Sequence, residues 1–329
     1  MLEAKSFINN LLNSNEYNFE SHAIELFRWQ ATYNNTYMSY LFHLGITDVA
    51  SINKIEDIPF LPISFFKHHN IQSNEWEPQK VFESSGTTGM QTSKHLVKDL
   101  NFYHSHAQTL FENEFGSIKN MHVLALLPSY LERDNSSLVS MVQYFIEISG
   151  SSQSGFYLSN YDELVETLLK LKADNKNVIL FGVTFALLEL AEKYKVDLSH
   201  VTLIETGGMK GRREEVTRNE LYKILNAALN FGHIYSEYGM TELLSQAYGE
   251  NAIFTLPNTM RVLIREVNDP FSVAAIGKTG GVNVIDLANV HTCAFIETQD
   301  LGRKNVDGTF EVLGRFDNSD LRGCNLLVS

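Results

Sequence analysis

In the first half of the first hundred residues, apolar side chains return at helical intervals. Phe7, Leu11 and Leu12 are followed by Ile24, Leu26, Phe27 and Trp29, with polar residues between them. That spacing places them on one stripe of a helix. The pattern breaks at Ile58-Pro59-Phe60-Leu61-Pro62-Ile63. Two prolines exclude a helix interior there and predict a packed, extended connector.

From Met121 the pattern alternates between short apolar runs and amphipathic stretches. His122–Leu127, Asn177–Gly182, Val201–Thr206 and Gly232–Tyr238 read as strands. Tyr161–Leu171, Thr184–Lys195 and Arg213–Asn230 read as the helices between them. Continuous apolar strands alternating with helices imply a parallel sheet with both faces covered. In such sheets ligands bind beyond the carboxyl ends of the strands, where Thr206–Lys210 and Tyr238–Glu242 fall. Beyond Asn251 the runs become short and β-like: Met260–Glu266, Gly280–Ile285, Thr292–Glu297 and Thr309–Leu313. The expected fold class is therefore α/β, parallel sheets flanked by helices plus a small β subdomain. Residues 1–250 form the α/β core with its N-terminal helical part, and residues 251–329 form the β-rich part and a short tail.

Charge and cysteine content narrow the function classes. The chain carries 26 basic against 39 acidic residues, a net charge of -13. A surface of that sign argues against nonspecific nucleic-acid binding, while leaving room for a local cationic pocket. The two cysteines, Cys293 and Cys324, lie far apart and without metal-ligand spacing. They suggest no disulfide framework and a reducing, cytoplasmic setting. The N-terminus lacks a basic region followed by a long apolar core, and no apolar run is long enough to span a bilayer. No signal peptide and no membrane span are expected.

Four local features carry candidate chemistry. Ser84-Ser85-Gly86-Thr87-Thr88-Gly89 packs two glycines and four hydroxyls into six residues. Its backbone N–H groups and hydroxyls suit phosphate oxygens, although the same composition also makes an ordinary surface turn. It is not a Walker loop, because no Gly-Lys-Ser/Thr follows. Tyr238-Gly239-Met240-Thr241-Glu242 ends a strand, where a Tyr can stack on a purine, a Thr can bond a phosphate and a Glu can hold Mg²⁺. Taken singly, a tight turn into a helix with Thr241 near the cap is the favoured reading. Asp300, in Thr298-Gln299-Asp300-Leu301-Gly302, can accept both hydroxyls of a ribose or simply form a turn. Arg315, in Gly314-Arg315-Phe316-Asp317, can pair with a phosphate or ribose oxygen, or be solvated.

In this order and spacing the four resemble the adenylate-forming superfamily of acyl-CoA synthetases, adenylation domains and luciferases. Ser84–Gly89 looks like its phosphate loop, and Tyr238–Glu242 matches its Tyr-Gly-x-Thr-Glu motif residue for residue. Asp300 stands where that family keeps its ribose-binding Asp, with Thr-Gln-Asp in place of Thr-Gly-Asp. Gly314-Arg315-x-Asp317 resembles its interdomain hinge motif. The phosphate loop departs from the family's frequent Pro-Lys ending, because Met90-Gln91-Thr92 stands there. The small C-terminal domain of full-length members, with its catalytic lysine, is expected to be absent.

Leu127–Arg133, Glu205–Arg213 and Leu321–Asn325 further resemble the acyl-protein synthetase family, the synthetase subunits of bacterial fatty-acid reductase. That resemblance implies ATP and Mg²⁺ as cofactors and a fatty or other carboxylic acid as substrate. It also implies an acyl-AMP intermediate, a cysteine acceptor matching Cys324, and a reductase partner. Ser84, Ser85, Gly86, Thr87, Thr88, Gly89, Gly207, Gly208, Tyr238, Gly239, Asp300 and Arg315 are then the nucleotide-binding set. Thr241, Glu242 and Cys324 are catalytic, with Glu242 also the metal ligand. Near Arg322 and after Gly323, Cys324 suits a thiolate on a short tail; a buried structural cysteine beside Leu326 and Leu327 is the other reading. Lys210, Arg212 and Arg213 suit phosphates or pair with Glu214 and Glu215. Phe185 and Leu188 line either an acyl channel or plain helix core. An aryl- or acyl-CoA ligase, transfer to an acyl-carrier protein, and a non-catalytic nucleotide or acyl binder remain as alternatives.

Overall fold

The computed structural model describes Phe7 and residues 18–84, 91–128, 135–208 and 217–316. The chain divides into two compact units. One comprises Met1–Phe65, Ile71–Asn74 and Asn258–Ser329, the other Phe66–Asn70 and Glu75–Pro257.

The first unit begins with the helices Phe19–Tyr33 and Asn35–His43. Asn18 starts the first of them by accepting the Ser21 N–H. Asn34 ends one helix and starts the next, its side-chain oxygen taking the Tyr37 N–H at 3.0 Å. The apolar stripe is real: Leu26, Phe27 and Trp29 are buried. Polar residues on the same face fasten the helices to distant chain. Gln30 donates to the carbonyls of Asn289 and Val290 at 2.9 and 3.0 Å, and accepts from Ala294 N–H at 2.9 Å. The proline-rich connector supplies a two-residue strand, β1 (Leu61–Pro62).

In the second unit β2 (Lys80–Glu83) and β3 (Lys94–Val97) pair as an antiparallel hairpin. Next come β4 (Met121–Leu126), β5 (Gly155–Tyr157), β6 (Asn177–Gly182), β7 (Val201–Glu205) and β8 (His233–Tyr238). They lie parallel in the order β5-β4-β6-β7-β8. Every residue of β4 is buried, so both of its faces are covered, as its unbroken apolar run requires. The helices Leu100–Phe115, Ser137–Ser149, Tyr161–Leu171, Thr184–Lys193 and Arg218–Leu229 fall between these strands. β9 (Ala247–Glu250) and β10 (Ile253–Thr255) extend the sheet beyond β8 in antiparallel fashion.

The chain then returns to the first unit as β11 (Met260–Arg265), β12 (Thr279–Asp286), β13 (Phe295–Lys304) and β14 (Phe310–Arg315). These form an antiparallel meander, with β1 added parallel to β13. β13 starts later and runs further than the apolar pattern at Thr292–Glu297 suggests. Asp300 therefore sits inside a strand, beside a register shift between Leu301 and Gly302, and not past a strand end. Phe27, Tyr37 and Phe60 converge on Phe295, with ring centroids 5.9, 6.3 and 6.2 Å away. Cys293 is fully buried just before that strand, and burial pushes its thiol up to about 12. It is a core residue. Among the described residues no helix is long and apolar enough to cross a membrane.

Candidate active site

The carboxyl ends of β7 and β8 hold six of the nine expected site residues that the structure describes. β7 ends at Glu205, and the chain turns sharply through Gly207 and Gly208, with φ of +75° and +97°. Two consecutive left-handed residues need glycine. Their carbonyls accept the N–H groups of Thr184 and Phe185 at 3.0 and 3.4 Å. Helix Thr184–Lys193 has no side-chain cap at Val183, so the glycine turn caps it through the backbone. Phe185 and Leu188 are buried on that helix.

Tyr238 closes β8, buried, its ring 5.7 Å from that of Phe254. A Cβ at Gly239, the next residue, would lie 2.1 Å from the Glu237 carboxyl, so a larger residue there would have to displace that side chain. The turn closes when Leu243 N–H donates to the Met240 carbonyl at 3.1 Å. Glu242 is buried beneath it. The Thr241 carbonyl accepts from Nδ1 of His95, at 2.8 Å. Burial lowers His95 to about 4, so the ring is neutral at pH 7 and carries its proton on Nδ1.

His95 belongs to β3, one strand of the hairpin from which the serine-rich loop springs. Ser84 N–H donates to the Ser93 carbonyl at 3.0 Å, and Ser93 N–H returns a bond to Ser84 Oγ at 2.9 Å. Ser84 thus clamps the base of the loop, and His95 ties the same hairpin to the Tyr-Gly-x-Thr-Glu turn. Ser85, Gly86, Thr87, Thr88 and Gly89 lie outside the described residues, as do Lys210, Arg212, Arg213, Asp317 and Cys324.

Asp300 and Arg315 belong to the other unit. They face each other across β13 and β14, with Arg315 Nε 3.4 Å from Asp300 Oδ1. The Arg315 side chain is 70% exposed and that of Asp300 13%. Asp300 N–H donates to Thr298 Oγ1, which itself donates to the Val282 carbonyl.

Three charged groups escape a reading of the sequence. Glu205 ends a buried strand two residues before Gly207-Gly208, a signal available in hindsight. Glu237 is pushed up to about 8 by burial and then by Glu205, so it is protonated at neutral pH. Arg265 is buried within the meander of the first unit. At the opposite, amino end of the parallel sheet, Ser151 Oγ lies 2.6 Å from His122 Nδ1, and His122 Nε2 3.3 Å from Asp174. Gln153 N–H also donates to Ser151 Oγ, so this group ties two loops to β4.

This chain shares its fold with solved structures that include two ligases. Its likeness to ATP-bound MatB from Rhodopseudomonas palustris has a TM-score of 0.53 at 16% identity, over 74% of this chain and 49% of that one. For 2-hydroxyisobutyryl-CoA ligase in complex with 2-HIB-AMP and CoA the score is 0.64 at 12% identity, over 91% and 69%. For the long-chain-fatty-acid-CoA ligase FadD1 from Archaeoglobus fulgidus it is 0.50 at 14% identity, over 71% and 51%. The fold is that of the large domain of adenylate-forming enzymes, and the chain spans about half the length of most of these structures. No curated protein sequence matches it significantly. The chain belongs to the acyl-protein synthetase (LuxE) family, whose sequence profile matches residues 9–329.

Proposed function

We propose that the protein activates a carboxylic acid, of the fatty-acid type, as its acyl-adenylate and then transfers the acyl group to the Cys324 thiol. A substrate carboxylate oxygen attacks the α-phosphorus of ATP, and the bond to the β-phosphate oxygen breaks to release pyrophosphate. The Cys324 thiolate then attacks the carbonyl carbon of the mixed anhydride and expels AMP. An acyl-protein reductase is the onward acceptor in this reading. Positioning and charge neutralisation, not covalent help, carry the first step.

The observation that supports this most is the bond from His95 to the Thr241 carbonyl. It links the hairpin that begins the Ser84–Gly89 loop to the turn bearing Tyr238, Thr241 and Glu242. Ser84–Gly89 would cradle the phosphates, Tyr238 and Gly239 would flank the base, and Asp300 and Arg315 would hold the ribose. Among the described residues no group of three His, Cys, Asp or Glu stands ready to hold a metal. A single buried carboxylate such as Glu242 fits Mg²⁺, which takes most of its ligands from phosphates and water and neutralises phosphate charge when bound.

The test is intact-protein mass after incubation with ATP, Mg²⁺ and a panel of carboxylic acids, for wild type and Cys324→Ser. A hydroxylamine-sensitive gain equal to one acyl group, absent in the variant, is expected. Pyrophosphate exchange without any mass gain would keep adenylation and move the acceptor to CoA or a carrier protein. Silence in both assays would leave a binder.

A further inference from the structure

We infer that Glu205 is the positioning residue of the nucleotide site, holding the Gly207-Gly208 turn in its binding shape without touching the ligand. The inference rests on the assignment of that turn to nucleotide binding made above.

Glu205 is 3% exposed at the end of β7, among Leu203, Ile204, Phe181 and Val183, all of them buried. A carboxylate in such surroundings needs donors. It has three. Oε1 accepts the Gly207 N–H at 2.7 Å and the Thr184 hydroxyl, and Oε2 accepts from Ser236 Oγ at 3.2 Å. Since Ser236 gives its proton to Glu205, its oxygen receives that of Tyr222, 2.6 Å away. One side chain thereby gathers β7, β8, the glycine turn, the start of helix Thr184–Lys193 and, through Ser236, helix Arg218–Leu229. The protonated Glu237 nearby removes the like-charge conflict that a second carboxylate would bring.

The bond to Gly207 N–H decides the shape of the turn. It fixes the peptide plane before a residue at φ +75°, where packing gives little help: no atom lies within 4 Å of a Cβ built on Gly207. With that plane set, the carbonyls of Gly207 and Gly208 point at the helix N–H groups they cap. Thr206 N–H meanwhile donates to the Gly182 carbonyl at 3.0 Å, joining the ends of β6 and β7. Remove the carboxylate, and the two glycines keep only their carbonyl bonds to the helix, with a wider range of conformations open to the Gly207 peptide. A preorganised site then becomes one that the ligand must order on binding, which weakens affinity.

The experiment compares the full chain with Glu205→Gln, Glu205→Ala and Thr184→Val. ATP binding is measured by calorimetry with Mg²⁺, pyrophosphate exchange over a range of ATP and acid concentrations, and folding by circular dichroism. Glu205→Ala is expected to raise both Kd and KM for ATP about tenfold while KM for the acid stays put, the size of one lost ordering interaction. Gln keeps the acceptor facing Gly207 and Thr184, so Glu205→Gln should stay within about threefold of wild type. Thr184→Val should move in the same direction as Ala by about two- to threefold, and it tests the idea even where Glu205→Ala does not fold. A folded Glu205→Ala variant with unchanged Kd for ATP overturns the inference, as does an unchanged Kd in Thr184→Val together with an unfolded Ala variant. Wild-type protein that binds ATP without exchange defeats the proposed function alone; wild type that binds no ATP defeats both.

Discussion

Among the charged side chains that each of the two units buries, one from each invites comparison, and the two charges are of opposite sign. In the second unit it is Glu205, surrounded by donors. In the first it is Arg265, surrounded by acceptors: Nη1 donates to the Val282 carbonyl and Asn283 Oδ1 at 3.0 and 2.8 Å, and Nη2 to the Thr298 carbonyl at 2.7 Å. Glu297 stands 3.7 Å off, its carboxyl raised by burial despite the guanidinium. Glu205 shapes a loop of two glycines that is otherwise tied down, among the described residues, through its backbone. Arg265 instead braces a sheet where the register between β12 and β13 shifts, between Gly281 and Asn283. Strands on both sides of that shift are well paired. On that contrast the carboxylate under the loop is expected to tune ligand affinity, and the guanidinium under the sheet irregularity to hold the fold.

The sharpest way to break this contrast is to remove Arg265. Arg265→Met takes the guanidinium donor from the Thr298 carbonyl and Asn283 Oδ1, leaves the Val282 carbonyl with Thr298 Oγ1 alone, strips Glu297 of its cation, and should cost about 3–5 kcal/mol. Arg265→Lys should recover only part of that, because an ammonium cannot reproduce the planar fork. Gly281 supplies a second arm: a Cβ there would sit 2.3 Å from the guanidinium carbon. Gly281→Ala should cost about 1–3 kcal/mol by displacing Arg265, and much less in an Arg265→Met background. The two tryptophans make the measurement local, since Trp29 belongs to the first unit and Trp76 to the second. Urea unfolding followed at Trp29 in a Trp76→Phe background reads the first unit. Additive effects of the two substitutions would show that Gly281 and Arg265 are not coupled.

These charges show where the sequence stops being legible. β4, β6, β7 and β8 announce themselves, because strands buried on both faces must be continuously apolar. The Tyr-Gly-x-Thr-Glu run is equally plain, since five adjacent residues carry it. The hairpin of β2 and β3 gives no such signal: it is four residues long on each side and only partly buried on Lys80–Glu83. Helix Leu100–Phe115 hides for a related reason, as its buried face includes His106, held to Ser245 Oγ at 2.9 Å. The partners of Glu205 lie at Thr184, Gly207, Ser236 and, one step on, Tyr222, and no local pattern connects them. Likewise Gln30 and Asn34 read as polar breaks in an apolar stripe, although they fasten the N-terminal helices to residues 289–294. Periodicity records which face is buried, and it is silent about which distant chain supplies the partner.

The second prediction concerns pH and the neighbour of Glu205. Glu237 is held near 8 in the folded protein, against a usual 4.5, by burial first and the Glu205 carboxylate second. Between those values the folded state keeps a proton that the unfolded state has lost. Stability contributed by this group therefore falls as pH rises from 4.5 to about 8, and is level above that. Glu237→Gln removes the slope. The variant should melt a few degrees above wild type at pH 8.5, with the gain shrinking to nothing by pH 4.5, as read from melting curves across that range. An equal gain at both ends of the range would mean that packing, not protonation, separates the two proteins. Tyr103, Glu114 and Tyr248 approach the same region, and Tyr103 and Tyr248 are both raised by burial, so neither ionises within that window.

The smallest expected effect on stability belongs to the pair that looks most like a salt bridge. Arg315 and Asp300 are register partners at 3.4 Å, yet the arginine is 70% exposed and water screens the attraction. An ion pair of this kind contributes about 0–1 kcal/mol. Arg315→Ala should therefore shift the urea midpoint of the first unit only slightly, and the coupling energy from a cycle with Asp300→Asn should shrink as salt is raised. Its weakness suits a binding role, because a charge held loosely to its neighbour can turn to a ligand at little cost, whereas Arg265 cannot. If nucleotide engages the pair, Asp300→Asn and Arg315→Ala will each weaken ATP binding by far more than they destabilise the fold. Equal, small effects on both quantities would mark Arg315 as an ordinary solvated residue at the end of β14.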